Sequence, residues 1–167
     1  EALVAEIRVR REAEAVLQRS EERLRSFLES AHDLIQSSAP DGRILFVNRA
    51  WEGTLGYTRD DLAGLRLADL LHHDCRDEVL RLFDRVLAGE RVERITAEFI
   101  ARDGDVVVCS GSAVRHVVDG QPMAVQGIFR DVTAQKRTER QLASSRANIE
   151  ALVENTGDAI WSVDTRH

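Results

Sequence analysis

Two Asp-Gly pairs, Asp103-Gly104 and Asp119-Gly120, do most to limit what this chain can fold into. They separate three strand-like runs, "VERITAEFIAR", "VVVCSGSAVRHVV" and "MAVQGIFRDVT". The dipeptide suits a tight hairpin, because both central positions of the favoured turn take φ > 0. The runs therefore pair in order as an antiparallel meander between residues 92 and 132. Upstream, apolar runs from Leu34 to Val47 flank "PDG" at 40–42, where Pro presets φ and Gly can take φ > 0, giving a further hairpin.

Helical text lies between these two groups. Asn48 is placed to cap "RAWEGTLGY", Thr58 with Asp61 resembles a capping box before "LAG", and Asp74 is placed to cap "CRDEVLRLFDRVLAG". The last segment puts Val79, Leu80, Phe83, Val86 and Leu87 on one stripe and stops at Gly89. Two strands, several short helices and three strands make an α+β chain with the helices on one side of the sheet.

Both ends read as rods. Residues 1–30 lack Gly and Pro and are rich in Glu, Arg, Ala and Leu. Leu3, Leu17 and Leu24 recur at heptad spacing with Ile7 and Leu28 on the adjoining seam, interrupted by Arg10, Glu14 and Glu21. The pattern suits either a helix packed on its own domain or a paired one. From Thr133, available as a cap, helix resumes to about Asn155, with Leu142, Ile149 and Leu152 on one side. Roughly 22 residues at 1.5 Å each reach about 33 Å, beyond the radius of the domain they leave.

The last residues echo the start of the domain. Aligning Asp158 with Asp33 brings Ile160 onto Ile35, Glu154 onto Glu29, Ser162 onto Ser37 and Ile149 onto Leu24. The expected division is an N-terminal helix at 1–28, a domain at 29–133, a linker helix at 134–155, and the opening of a second copy at 156–167.

With 167 residues, 43% hydrophobic and 31% charged, the chain can bury one modest core. A net charge of -6 and short basic runs mixed with acidic residues argue against nucleic acid. Cys75 and Cys109 have no metal-type spacing and read as free thiols in a reducing compartment. No membrane span or signal peptide is visible, so a cytoplasmic location is expected.

The stretch "DGRILFVNRAWEGTLGYTRDDLAGLRLADLLHHD", followed by "ARDGD" and "GIFRDVTAQKRTE", resembles a PAS domain over about residues 26–142. The resemblance implies a five-stranded antiparallel sheet flanked by helices, acting as an input or relay module in signalling chains such as sensor histidine kinases and cyclic-dinucleotide enzymes. It also implies that Asp131-Val132-Thr133 couples the final strand to an output helix. Bottom-up, the same residues could simply be ordinary caps, with Asp131 favourable near a helix start.

In the family's register, Ala97, Phe99, Cys109, Gly111, Ala113, Val125, Gly127 and Phe129 share the inner face. Several are small, which leaves room for a pocket. Its candidate lining is Phe46, Leu55, Phe83, Phe99, Cys109, Gly111, Val125 and Phe129, and Phe46, Leu55, Phe83 and Phe129 could equally fill the space. The outer face carries Val106, Val108, Val114 and Ile128, too apolar to stay wet, so the N-terminal helix or a second subunit should cover it.

No cofactor is expected, although an unidentified small ligand would fit such a pocket. The photoactive flavin branch places a reactive Cys where Leu67 stands and a Gln where Phe129 stands. Haem-binding members use a His within the long helix, and "CRDEVLRLFDRVLAG" has none. His72 and His73 precede that helix beside Cys75, but adjacent side chains should diverge and no fourth ligand is evident, so no metal is expected. Nor does any phosphate-cradling loop or nucleophile motif appear, which points away from an enzyme. Asp103, Asp105 and Asp119 are explained by turn chemistry. The reading is a homodimeric sensory relay that acts on an output domain in the same chain, with a small-molecule receptor or a passive spacer as alternatives.

Overall fold

The computed structural model describes residues 2–58 and 60–161. β3 (Val92–Ile100), β4 (Val106–Val118) and β5 (Gln121–Asp131) form the expected meander, each antiparallel to the next. β1 (Leu34–Ser38) and β2 (Ile44–Val47) form the other hairpin, and β1 pairs antiparallel with β5. The sheet order is thus β2-β1-β5-β4-β3, with the last strand in the middle. Leu34 faces Phe129 and Ile35 faces Ile128 across the central pair.

The two Asp-Gly turns differ. Asp119 and Gly120 both have positive φ, 49° and 76°, as the tight hairpin requires. At the other turn only Gly104 is left-handed, with φ 93°. Asp103 instead uses its carboxylate to accept the Asp105 N–H at 3.0 Å, and the Ala101 N–H closes the loop on the Asp105 carbonyl at 2.8 Å. A side-chain turn replaces the second left-handed residue.

The helices are α1 (Ala2–Ser30), α2 (Arg49–Leu55), α3 (Leu67–Leu70), α4 (His73–Leu87) and α5 (Thr133–Trp161), with a 3-10 turn at Asp61–Gly64. α4 is capped by His72 rather than Asp74: the His72 Nδ1 accepts the Asp74 N–H at 3.4 Å. The His72 N–H is bonded to the Glu98 carbonyl at 2.8 Å, so this residue stays extended and the helix begins right after it. Thr58 and Asp61 form half of a capping box. The Asp61 carboxylate accepts both the N–H and the hydroxyl of Thr58 at 2.8 Å, which holds its pKa below the ordinary value. Thr133 is the first residue of α5 rather than a cap before it.

The core lies between the inner sheet face and α2–α4. Trp51, Leu55, Leu70, Leu71 and Val86 are fully buried, and Val79 and Phe83 of the α4 stripe join them. Of the two covers expected for the outer face, α1 does not supply one. Val108 is buried, but Ile128 is 50% exposed and Val114 40%. α1 packs its C-terminal end near α2 instead, and its seam residues Ile7, Leu17 and Leu24 stay exposed, with Leu28 half-buried. The side chain of Leu3 lies outside the described residues.

The chain divides into two compact units, residues 1–131 and 132–167. In the second, helix runs to Trp161 rather than ending near Asn155. Residues 156–161 satisfy their backbone by helical bonding where a strand would need a partner. Residues 162–167, the end of the expected second copy, lie outside the described residues. No described helix is long and apolar enough to cross a membrane.

Candidate functional site

The small residues of the inner face make room for a ring. A Cβ on Gly127 would lie 2.5 Å from Phe129 Cε2, and one on Gly111 would lie 2.8 Å from Phe129 Cδ1 as well as against the Ile128 carbonyl. Phe129 therefore lies over both glycines and meets Phe99 edge-on, ring centres 5.8 Å apart at 71°. What remains is a cavity of about 30 Å³, lined among others by Gln36, Ser38, Phe83, Phe99, Val125 and Phe129. That is space on the scale of an ordered water rather than of a drug-sized ligand.

Four candidate pocket residues, Phe83, Phe99, Val125 and Phe129, line this cavity. Leu55 and Cys109 are core residues away from its wall, and Gly111 is covered by Phe129. Burial, with Asp131 nearby, pushes the Cys109 thiol up to about 12, so it stays protonated and unreactive. Phe46 lies on the opposite face: it pairs with Ser37, out of phase with Gln36 and Ser38, and borders a groove with Leu24, Arg25 and Leu28. A register shift between Ser37 and Ser38 returns Ile44 to the core and defeats simple parity.

The polar lining was not anticipated. Gln36 and Ser38 are 5% and 1% exposed. Gln36 Oε1 accepts the Trp51 indole N–H at 3.1 Å, whereas Ser38 Oγ makes no hydrogen bond among the described residues. The alternation in "LIQSS" places both on the face of Leu34, and that signal was available in the sequence.

A second feature joins the end of α1 to the sheet. Asn48 is fully buried, and its side-chain amide is saturated. Oδ1 accepts the N–H groups of Ile35 at 3.0 Å and Trp51 at 3.1 Å, while Nδ2 donates to the carbonyls of Leu28 at 3.1 Å and Asp33 at 3.0 Å. The cap expected for α2 thus also holds the last turn of α1 and the start of β1. Glu29 adds a bond, its carboxylate accepting the Arg49 N–H at 2.8 Å.

From this knot a side-chain link reaches the end of β5. The Arg130 guanidinium donates to both carboxylate oxygens of Asp33, at 3.0 and 3.2 Å, and this bond raises the Arg130 pKa further. The next residue, Asp131, pairs with Cys109 and ends the strand, and α5 begins at Thr133. Pattern alone marks Asn48 as a cap and Asp131 and Thr133 as a junction; Asp33 and Arg130 complete the connection from α1 to β5 within the first unit.

His72 and His73 do not diverge. Their rings lie 4.1 Å apart, and the Glu98 carboxylate from β3 comes within 3.7 Å of His72 Nδ1. The backbone bond from His72 to Glu98 causes this approach, and sequence spacing does not reveal it.

Comparison with known proteins agrees with this architecture. A PAS domain of an HTR-like protein from Haloarcula marismortui superposes with a TM-score of 0.63 at 22% identity, over 72% of this chain and 98% of that one. A domain of a sensory box sensor histidine kinase/response regulator from Geobacter sulfurreducens gives a TM-score of 0.58 at 29% identity, over 69% of this chain and 96% of that one. Among curated proteins, the uncharacterized protein y4lL of Sinorhizobium fredii (strain NBRC 101917 / NGR234) is 29% identical over 96% of this chain. The probable diguanylate cyclase DgcE of Escherichia coli (strain K12) is 29% identical over 72% of it. The chain spans only 19% and 11% of the lengths of these two relatives. The family model for the PAS fold matches residues 28–137, and the chain belongs to that family.

Proposed function

We propose that this PAS domain is a sensory relay that self-associates through its flanking helices and passes a change in their arrangement to an output domain in the same protein. The observation that carries the proposal is the exposed seam of α1, with Ile7 45% and Leu17 and Leu24 each 60% exposed, on a helix whose end is tied by Asn48 and Asp33 to β5. An isolated helix with such a seam gains by pairing with a second copy. α5 carries a comparable stripe in Leu142, Ile149 and Leu152, 70%, 59% and 66% exposed. A relay of this kind needs two arrangements that a stimulus stabilises unequally. The relatives' names point to a histidine kinase or a diguanylate cyclase as the class of output.

Asp131 and Thr133 would act as the coupling point between sheet and rod. The test is replacement of both by Ala in the full-length parent, with output activity measured against stimulus. The relay reading expects uncoupling at unchanged protein level, and a passive spacer would leave the output unaltered. A small-ligand receptor is the second reading, favoured by Ser38 Oγ, which lies beside the cavity with no hydrogen-bond partner among the described residues. Mass spectrometry of denatured protein would then find one recurring co-purified small molecule.

A further inference from the structure

We propose that His72, His73, Asp74 and Glu98 form a binding site for a borderline divalent transition-metal ion, of which zinc is the type. The donors come from two elements: the cap and first turn of α4 and the C-terminal part of β3. His72 Nδ1 lies 3.5 Å from Asp74 Oδ2 and 3.7 Å from Glu98 Oε2, and His73 Nε2 lies 3.0 Å from Asp74 Oδ1. One donor atom from each of His72, His73 and Asp74 falls within 4.8 Å of the other two. Metal–nitrogen and metal–oxygen bonds of about 2.0–2.2 Å, arranged tetrahedrally, separate neighbouring donors by roughly 3.3–3.6 Å. The three separations between His72 and Asp74, His72 and Glu98, and His73 and Asp74 lie near that range, and rotation of the His73, Asp74 and Glu98 side chains would bring the four donors onto one ion.

The scaffold under it is fixed. The His72 N–H donates to the Glu98 carbonyl at 2.8 Å, and the Cys75 thiol lies within 3.6 Å of the same carbonyl. Leu71 bridges to Phe99 on the neighbouring residues. His72 and Glu98 are therefore held together by backbone pairing. Their side chains are 23% and 27% exposed, while those of His73 and Asp74 are 76% and 72% exposed, leaving one side open to solvent. Two imidazoles and two carboxylates match the ligand preferences of zinc and its neighbours, whereas calcium and magnesium prefer all-oxygen shells. The partial positive charge at the start of α4 opposes a cation, and the two carboxylates offset it. Binding at His72 Nδ1 would exchange the 3.4 Å cap bond from Asp74 for a coordination bond.

The test is calorimetric titration of the tag-free, metal-stripped 1–167 chain with zinc chloride at pH 7.5. The site expects saturation at one zinc per chain, with affinity lowered at least tenfold in both His73→Ala and Glu98→Gln and unchanged in His32→Ala and His116→Ala. His73 is largely exposed, so its replacement does not threaten the fold. As a second readout, the His72 and His73 ring signals should shift together in NMR spectra as zinc is added. Absence of saturable binding, a stoichiometry of one zinc per two chains, or affinity indifferent to both ligand variants would overturn the proposal.

Discussion

Asp33 and Arg130 lie 97 residues apart and meet in a two-pronged ion pair that ties the entrance of β1 to the end of β5. The pair is partly solvent-exposed, Arg130 at 73% and Asp33 at 34%, so it contributes little to global stability. The role proposed for it is coupling between the α1 end of the domain and β5. Asp33→Asn is expected to leave the thermal midpoint nearly unchanged and to weaken stimulus-dependent output in the full-length parent. A large loss of midpoint would show that the pair is structural instead.

Asn48 presents the opposite case. Asn48→Ala removes four hydrogen bonds and leaves the buried N–H and carbonyl partners unsatisfied. The expected loss is about 3 kcal/mol by denaturant unfolding. Asn48→Asp keeps the two acceptor bonds but loses both donors and sets a charge against the Leu28 and Asp33 carbonyls. Hydrogen exchange should then rise first at the end of α1.

Phe129 and the glycines beneath it give a paired prediction. Gly127→Ala should cost about 1–3 kcal/mol through overpacking, because its new methyl meets the Phe129 ring. Phe129→Ala should cost about 3–5 kcal/mol and enlarge the 30 Å³ cavity, which then takes up small apolar molecules such as benzene. The double variant should recover none of the lost burial.

The Cys109 thiol sits near 12 in the folded chain against an ordinary 9.0. Above pH 9 the unfolded chain releases a proton that the native chain keeps, so this contribution is fully present below that pH and is lost as pH rises toward 12. Cys109→Ala should flatten the alkaline fall in stability measured by urea unfolding between pH 9 and 11. The native thiol should also resist alkylation at pH 8.

The meander, the α2 cap and the inner-face assignment were legible because each follows from local chemistry or strand parity. Asp119-Gly120 behaves as its dipeptide demands. Phe46 was misplaced because a register shift breaks the period of two. The glycines suggested empty space because composition does not say that Phe129 crosses back over them. Asn48 was recognisable as a cap, but its hold on Leu28 and Asp33 depends on chain return, as does the approach of Glu98 to His72. Position within an element and pairing across a tight turn can be read locally, whereas contacts between elements far apart in the chain cannot.

The central claim is that α1 carries a seam built for a second copy of this chain. Light scattering on the eluting 1–167 chain at high micromolar concentration tests it most directly, beside a variant with Leu17 and Leu24 changed to Glu. The account predicts a dimer for the first and a folded monomer for the second. A wild-type chain that stays monomeric throughout would contradict it.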